Sequence, residues 1–291
     1  MKSRDTPGSS GRAVYRLGGY SEYAAPVGLG GCVEPLWSFG SSGNKALPHR
    51  VIPNGGVSLC FRHMLDRDGD VVRPHLVLIG PVYAPRIFDP EPSLAMEVVQ
   101  LKPEWVQAIL GSDPRDHVGK LDAWAAGTPL VANRLLDAMV SSTRNTGSAF
   151  PTLLDWIEDR ARAVRPDRPT RLANEALDMV LGRSGGDMSG VLTTARQLGV
   201  SPRHIQRVVK ATAGARPKYL QRVHRLNRAV SDADRVSQPR WAMLSAQHGY
   251  CDQAHFISEC RSLAKCTPSA LHAERRAEDV AFLQSRSAET P

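Results

Sequence analysis

The spacing of apolar residues changes along the chain near residue 103. Between about 13 and 102, short apolar or β-prone runs such as VSLCF at 57–61, HLVLI at 75–79 and VYAPRI at 82–87 alternate with glycine- and proline-rich breaks. Such runs between turn signals predict short strands. From Pro103 onward the apolar positions recur at helical spacing. The pattern therefore predicts an α+β chain, with a mostly antiparallel β domain followed by linker helices and an all-α region.

Composition shifts and helix-breaking residues divide the chain further. The segment 165–170, RPDRPT, holds two prolines that cannot continue a helix, and it is the predicted linker. The predicted division is a flexible tail at 1–12, a β-rich sensor or dimerisation domain at 13–128, linker helices at 129–170, a helical domain at 171–275 and a C-terminal tail at 276–291. The apolar stripes of 129–143 and 150–164 fit a linker or a dimer contact, although intramolecular core is the commoner use.

Positive charge is concentrated in the helical half. The chain has 37 Lys and Arg against 29 Asp and Glu, a net charge of +8. Residues 196–240 alone contain 11 basic residues and two acids, Asp232 and Asp234. A positive field of that density favours a polyanionic partner, most simply nucleic acid. The alternative is a solvated basic helix face.

Several protein classes do not fit the sequence. No apolar run approaches the roughly 18–20 residues that span a bilayer, and the N-terminus lacks the apolar core of a signal peptide, so we expect a cytoplasmic protein. The five cysteines form no C-x-x-C pair, which predicts no structural metal, and no cofactor motif is present. Reduced thiols are the simplest interpretation, with a redox switch using Cys251, Cys260 or Cys266 as the alternative.

A helix-turn-helix pattern lies at 191–212, VLTTARQLGVSPRHIQRVVKAT. Gly199 permits the tight turn, Ser201 caps the next helix, and small Ala195 suits a close helix crossing. Ile205 then faces the core. The polar face of the second helix carries Arg203, Gln206, Arg207 and Lys210. Arginine and glutamine are the side chains that pair with guanine and adenine edges in the major groove.

A second copy of this plan lies at 241–263. Ser245 precedes Gly249 by four residues, Asp252 can cap, and the turn is one residue longer than in the first copy. The two turn glycines are 50 residues apart, and a basic segment, 217–234, connects the copies. A rigid connecting helix would place two recognition helices in successive major grooves, about 34 Å apart.

The C-terminal region resembles the paired helix-turn-helix domain of AraC/XylS-type bacterial transcription regulators. The resemblance covers about 171–275 and rests on AxxLGVSxRHIQR at 195–207, GYxDQxHF at 249–256 and TPSAL at 267–271. It implies that the base-reading residues are Arg203, Gln206, Arg207, Gln253, Ala254, His255 and Ser258. The predicted phosphate contacts are Arg196, Ser201, Lys210, Lys218 and Arg261.

This sequence departs from the family pattern in its second copy. Cys260 stands where a phenylalanine is usual, Cys266 where a glycine is usual, and Ser258 where an arginine is common. The changes remove core volume and shorten the reach toward DNA. We therefore expect the first copy to supply more of the base readout.

The N-terminal half gives weaker signals. The resemblance implies a signal-receiving domain, a DNA-bound regulator that contacts RNA polymerase, and a small-molecule effector, with homodimerisation open. Trp37, Arg50 and Tyr83 are the candidate effector-binding residues, although aromatic residues of this kind more often belong to the core.

Two other functions compete with an effector-modulated regulator or activator of transcription. A DNA-binding enzyme of the alkylation-repair type needs about four cysteine ligands for its zinc. Residues 1–165 contain only Cys32 and Cys60, so we expect no enzyme. A nucleoid protein without sequence preference is the other alternative.

Overall fold

The computed structural model describes residues 15–17, 19–41, 48–119, 121–123, 129–164, 167–183 and 187–276. The predicted tail at 1–12 lies outside these residues, as does all of the predicted 276–291 tail except Arg276. Among the described residues, no helix combines the length and the apolar character needed to cross a bilayer.

An antiparallel sheet forms the first part of the described chain. The strands of this part are β1 (Tyr15–Leu17), β2 (Tyr20–Tyr23), β3 (Val33–Gly40), β4 (His49–Val51), β5 (Val57–Leu65), β6 (Val71–Ile79), β7 (Arg86–Phe88), β8 (Leu94–Leu101) and β9 (Leu121–Ala123). The sheet has the strand order β1-β2-β3-β8-β5-β6-β9, and β4 and β7 form a separate antiparallel pair. The predicted antiparallel β domain is thereby confirmed.

Nine helices occur among the described residues, besides a short 3-10 turn at Pro114–His117. They are α1 (Pro103–Leu110), α2 (Pro129–Thr146), α3 (Phe150–Ala163), α4 (Arg168–Leu181), α5 (Val191–Gln197), α6 (Pro202–Ala213), α7 (Pro217–Asp234), α8 (Trp241–Gln247) and α9 (Gln253–Ala264). The predicted α+β order, with strands first and helices after, is confirmed.

The sheet buries a different apolar set on each face, because successive side chains of a strand point to opposite sides. One face carries Leu59 and Phe61 of β5 and packs with Phe150 and Leu153 of α3. The other face carries Cys60 of β5 and packs with residues such as Trp37. The helices α1–α3 therefore cover one face of the sheet.

Two local predictions were wrong at their boundaries. The predicted strand Val82–Ile87 is a loop as far as Pro85, because Pro81 and Pro85 restrict the backbone, and β7 begins only at Arg86. The predicted linker at 165–170 ends early, since α4 already begins at Arg168. The Asp167 carboxylate accepts a hydrogen bond from the Thr170 N–H at 2.9 Å and so caps α4.

Candidate nucleic-acid interface

The first predicted recognition unit is built from α5 and α6. Ala195 is 2% exposed, and Ile205 and Val209 are fully buried against Leu177 of α4. Gly199 adopts φ +66° between the helices, a left-handed conformation that is costly for residues with a side chain. The turn glycine and the small residue at the helix crossing thus have the roles predicted from the sequence.

Capping fixes the start of α6. The Ser201 hydroxyl accepts a hydrogen bond from the His204 N–H at 3.2 Å, and Pro202 occupies the first turn. The predicted base-reading and basic residues of α6 are all exposed: Arg203, Gln206, Arg207 and Lys210. The Arg207 guanidinium lies 2.9 Å from His204 Nδ1, which restrains it on the outer face of the helix.

The second unit, α8 and α9, repeats this design with the longer turn that the sequence predicts. Gly249 has φ +70°, and the Asp252 carboxylate accepts a hydrogen bond from the His255 N–H at 2.7 Å. Phe256 and Cys260 are fully buried in the unit's core. The predicted readers of α9 are exposed at its N-terminal end and outer side: Gln253, Ala254, His255 and Ser258.

The helix α7 joins the two units and contributes to both cores. Leu220, near its start, packs with the first unit, whereas Val223, Leu226 and Val230 pack with the second. Its bounds, Pro217–Asp234, are those predicted for the connecting helix. An 18-residue helix is about 27 Å long, so α7 separates the units by a length comparable with one turn of B-DNA, about 34 Å.

Part of the positive charge of α7 is used inside the protein. Arg222 donates to both carboxylate oxygens of Glu259, at 2.8 and 2.9 Å, and the Arg225 guanidinium lies 5.4 Å from the centre of the Tyr250 ring. Arg222 and Arg225 belong to the basic segment 196–240, but their charges are engaged within the protein. The predicted phosphate contacts, Arg196, Ser201, Lys210, Lys218 and Arg261, are all exposed.

Part of the chain matches the sequence model of a known protein family. Residues 194–274 match the model of a helix-turn-helix domain. The matched residues lie within the region, about 171–275, whose sequence resembles the AraC/XylS-type domain. No curated protein matches the chain.

Solved structures also resemble the chain. Apo ToxT from Vibrio cholerae is 13% identical, with a TM-score of 0.43, covering 82% of this chain and 96% of ToxT. ToxT with a bound unsaturated fatty acid is 12% identical, with a TM-score of 0.42, covering 81% of this chain and 93% of ToxT. An AraC-type DNA-binding-domain protein from Chromobacterium violaceum is 24% identical, with a TM-score of 0.32, covering 36% of this chain and 92% of that protein.

A buried ion cluster, which the sequence pattern did not predict, joins the end of α7 to the last residues of the helix-turn-helix domain. Asp234, at the end of α7, is 3% exposed and accepts a hydrogen bond from Arg275 at 2.6 Å, with His272 Nδ1 3.6 Å from its other oxygen. Burial raises the pKa of Asp234, and the Arg275 charge opposes the shift. Because Arg275 is 41 residues away, no local motif marks the pair.

A residue in the left-handed region lies at the C-terminal end of α9. This residue is Lys265, with φ +61°, and it directly precedes Cys266. The N–H of Lys265 donates to the Arg261 carbonyl at 3.2 Å, which ends the helix.

Two residues of the N-terminal part of the chain donate hydrogen bonds to the last residues of the two recognition helices. The Tyr83 hydroxyl donates to the Ala213 carbonyl of α6 at 2.6 Å. The Arg50 guanidinium donates to the Ala264 carbonyl of α9 at 3.4 Å and binds both carboxylate oxygens of Glu274, at 2.9 and 3.0 Å. The strand-bearing part therefore contacts equivalent positions of the two units.

Further contacts extend this junction along α7. The Tyr219 hydroxyl donates to the Tyr83 carbonyl at 2.7 Å, and Asn227 donates to the Pro53 carbonyl at 2.7 Å. Ile52 is 8% exposed and belongs to the apolar core of the second unit. The junction thus combines hydrogen bonds with apolar burial.

The three candidate effector-binding residues do not come together. Arg50 and Tyr83 are engaged in the junction with the helix-turn-helix domain, whereas Trp37 packs in the apolar cluster on the face of the sheet opposite α1–α3. Cys32 and Cys60 are likewise apart, because they belong to the clusters on opposite faces of the sheet.

Proposed function

We propose that this protein is a sequence-specific DNA-binding regulator of transcription that reads two successive major-groove segments with α6 and α9. One observation supports the proposal most directly. The helices α6 and α9 are both capped and expose their polar faces, and each packs with a different half of α7. A helix-turn-helix unit places the N-terminal part of its second helix against base edges. Here both helices keep that part exposed.

The proposed base readers are Arg203, Gln206, Arg207, Gln253, Ala254, His255 and Ser258. The proposed phosphate contacts are Arg196, Ser201, Lys210, Lys218 and Arg261. They would make DNA binding depend on salt, because the logarithm of the binding constant falls by about 0.9 per contacted phosphate for each unit of log salt concentration. Arg222 and Arg225 are left out, because their guanidinium groups are engaged with Glu259 and Tyr250.

Selection of bound duplexes from a random library with the full chain tests the proposal. The expected result is an enriched site with two elements about 10 base pairs apart, one helical turn. A nucleoid protein without sequence preference would enrich nothing over the starting library, and that outcome would refute the proposal.

The relative weight of the two units can be measured on the enriched site. Loss of a bidentate arginine contact costs roughly 1–3 kcal/mol, so Arg203→Ala should weaken binding by about 5- to 150-fold. Gln253→Ala should weaken it less, because Ser258 gives α9 a shorter reach. Arg67→Ala, an exposed arginine of the β5–β6 turn, is the matched control and should leave affinity unchanged. Equal or greater loss from Gln253→Ala would contradict the ranking.

We further propose that the N-terminal domain modulates DNA binding through the junction with α6 and α9. Support comes from the two hydrogen bonds that Tyr83 and Arg50 donate to Ala213 and Ala264, the last residues of the recognition helices. A small-molecule effector, RNA polymerase and a second copy of the chain are the partners that the family resemblance implies. The alkylation-repair alternative has less support, since Cys32 and Cys60 lie on opposite sides of the sheet.

A further inference from the structure

Both recognition helices carry a histidine at the same position, three residues after the capping residue. His204 follows Ser201 in α6, and its N–H donates to the Ser201 hydroxyl at 3.2 Å. His255 follows Asp252 in α9, and its N–H donates to the Asp252 carboxylate at 2.7 Å. The backbone therefore places the two histidines equivalently in their units.

In α6 the side chain of this histidine meets a proposed base reader. His204 Nδ1 lies 2.9 Å from Nη2 of Arg207, which is three residues further along the helix. A guanidinium group has N–H donors and no acceptor, so Arg207 donates this hydrogen bond and Nδ1 accepts it. The ring proton of His204 is therefore on Nε2. The donors that Arg207 keeps are enough for a bidentate contact with a guanine edge.

In α9 a serine, Ser258, stands at the position that corresponds to Arg207. The Nδ1 atom of His255 accepts a hydrogen bond from the Cys251 N–H at 3.4 Å. The His255 ring meets the Tyr250 ring edge to face, with the ring centres 5.4 Å apart. The shared cap therefore does not by itself dictate what the histidine contacts, and the contact with arginine belongs to the first unit.

We propose that His204 is a positioning residue that orients the Arg207 guanidinium for a guanine edge and so increases the selectivity of α6 for guanine. The inference rests on the proposed function, because Arg207 is one of its base readers. His204 is half-buried and Arg207 is exposed, so the contact restrains a side chain that faces outward. Ordering a long side chain on binding weakens affinity, and a contact that orders it beforehand removes part of this cost.

The tautomer of His204 tests the contact without DNA. A long-range proton–nitrogen NMR spectrum of the full chain at alkaline pH shows which ring nitrogen carries the proton, and loss of a signal in His204→Asn assigns it. The expected result is a proton on Nε2 and an accepting Nδ1. A proton on Nδ1 would overturn the proposal, because Arg207 could not donate to that nitrogen. This result is independent of the proposed regulatory function.

Two substitutions of similar shape test the effect on DNA binding. Leucine and asparagine have similarly branched side chains, but only asparagine can place an acceptor where Nδ1 lies. On the duplex enriched from the random library, His204→Leu should bind about two- to tenfold more weakly than the wild type, the range expected when one long side chain must be ordered on binding. His204→Asn should recover most of this affinity. In an Arg207→Ala background, the two substitutions should bind equally.

A purely structural role of His204 would give a different pattern. If the side chain only stabilised α6, His204→Leu would weaken binding to every duplex alike, also in the Arg207→Ala background. The positioning role confines the loss to duplexes with guanine at the base pair where Arg207→Ala loses discrimination. Wild-type affinity of His204→Leu, or the same loss in both backgrounds, would overturn the proposal. Enrichment of no site at all would instead refute the proposed function on which it rests.

Discussion

Tyr83→Phe removes a single hydroxyl from the junction between the sheet and the helix-turn-helix domain. That hydroxyl donates to the Ala213 carbonyl at 2.6 Å, and burial raises the pKa of Tyr83 to about 12. The Tyr83 carbonyl keeps its bond from Tyr219, and the two rings keep their edge-to-face contact at 5.7 Å. The substitution therefore isolates one hydrogen bond.

The free-energy cost of Tyr83→Phe arises because the Ala213 carbonyl loses its hydrogen-bond donor. Ala213 is 1% exposed, so water gains poor access to its carbonyl after the hydroxyl is removed. An unpaired buried acceptor costs about 1–3 kcal/mol, and the half-buried position of Tyr83 places the expected loss toward the lower end, about 1–2 kcal/mol. This loss applies to the docked arrangement of the sheet and α6.

Urea unfolding, followed by intrinsic fluorescence, measures the loss. Tyr23→Phe is the matched control, because the Tyr23 hydroxyl contacts Ser38 of the neighbouring strand β3 at 3.4 Å. We expect a clear decrease in the unfolding free energy for Tyr83→Phe and a small one for Tyr23→Phe. If Tyr83→Phe unfolds like the wild type or like the control, the junction does not stabilise the docked arrangement.

Three other substitutions test separate features. Gly214→Ala should destabilise the chain, because Gly214 has φ +73° and an added Cβ would lie 2.7 Å from the Tyr83 hydroxyl; an unchanged melting temperature would contradict this. Burial raises the pKa of Glu97 to about 7. The free energy of unfolding of the wild type should therefore fall between pH 4.5 and 7, by up to about 1.4 kcal/mol per pH unit. Glu97→Gln should remove this contribution when unfolding is measured as a function of pH. Burial lowers the pKa of His63 to about 4, so its contribution makes the fold less stable as pH falls from 6.5 to 4. His63→Phe should be less acid-sensitive than the wild type, and equal sensitivity would refute the assignment.

The sequence predicts the helix-turn-helix domain well because short-range chemistry determines its elements. A left-handed turn needs Gly199, the caps need Ser201 and Asp252, and Pro217 suits the first turn of α7. All these signals act within a few residues of the element that they define. The predicted bounds of α7 consequently agree with the structure at both ends.

Interactions between distant residues were not predictable in this way. Arg222 meets Glu259 across 37 residues, and Arg50 meets Glu274 across 224. In the sequence alone, nothing distinguishes Arg222 from the basic residues that remain exposed in the folded chain. The charge pattern therefore indicated a polyanion-binding face but overestimated how many basic residues it contains. In the sheet, likewise, the apolar runs predicted strands but not their order, since the central neighbours β3, β8 and β5 are far apart in sequence.

The positions of the two junction bonds suggest how the sheet would affect DNA reading. Ala213 lies 14 residues after Gly199, and Ala264 lies 15 after Gly249, so the one-residue longer turn makes these positions equivalent. Each is the last residue of its recognition helix, whereas the proposed base readers begin at the opposite end. A displacement of Tyr83 relative to Arg50 would therefore tilt α6 and α9 with respect to each other without covering the base-reading side chains. We expect Arg50→Gln and Tyr83→Phe to change the preferred spacing between the two DNA elements, which repeated selection from the random library would measure, and an unchanged spacing in both variants would refute this coupling.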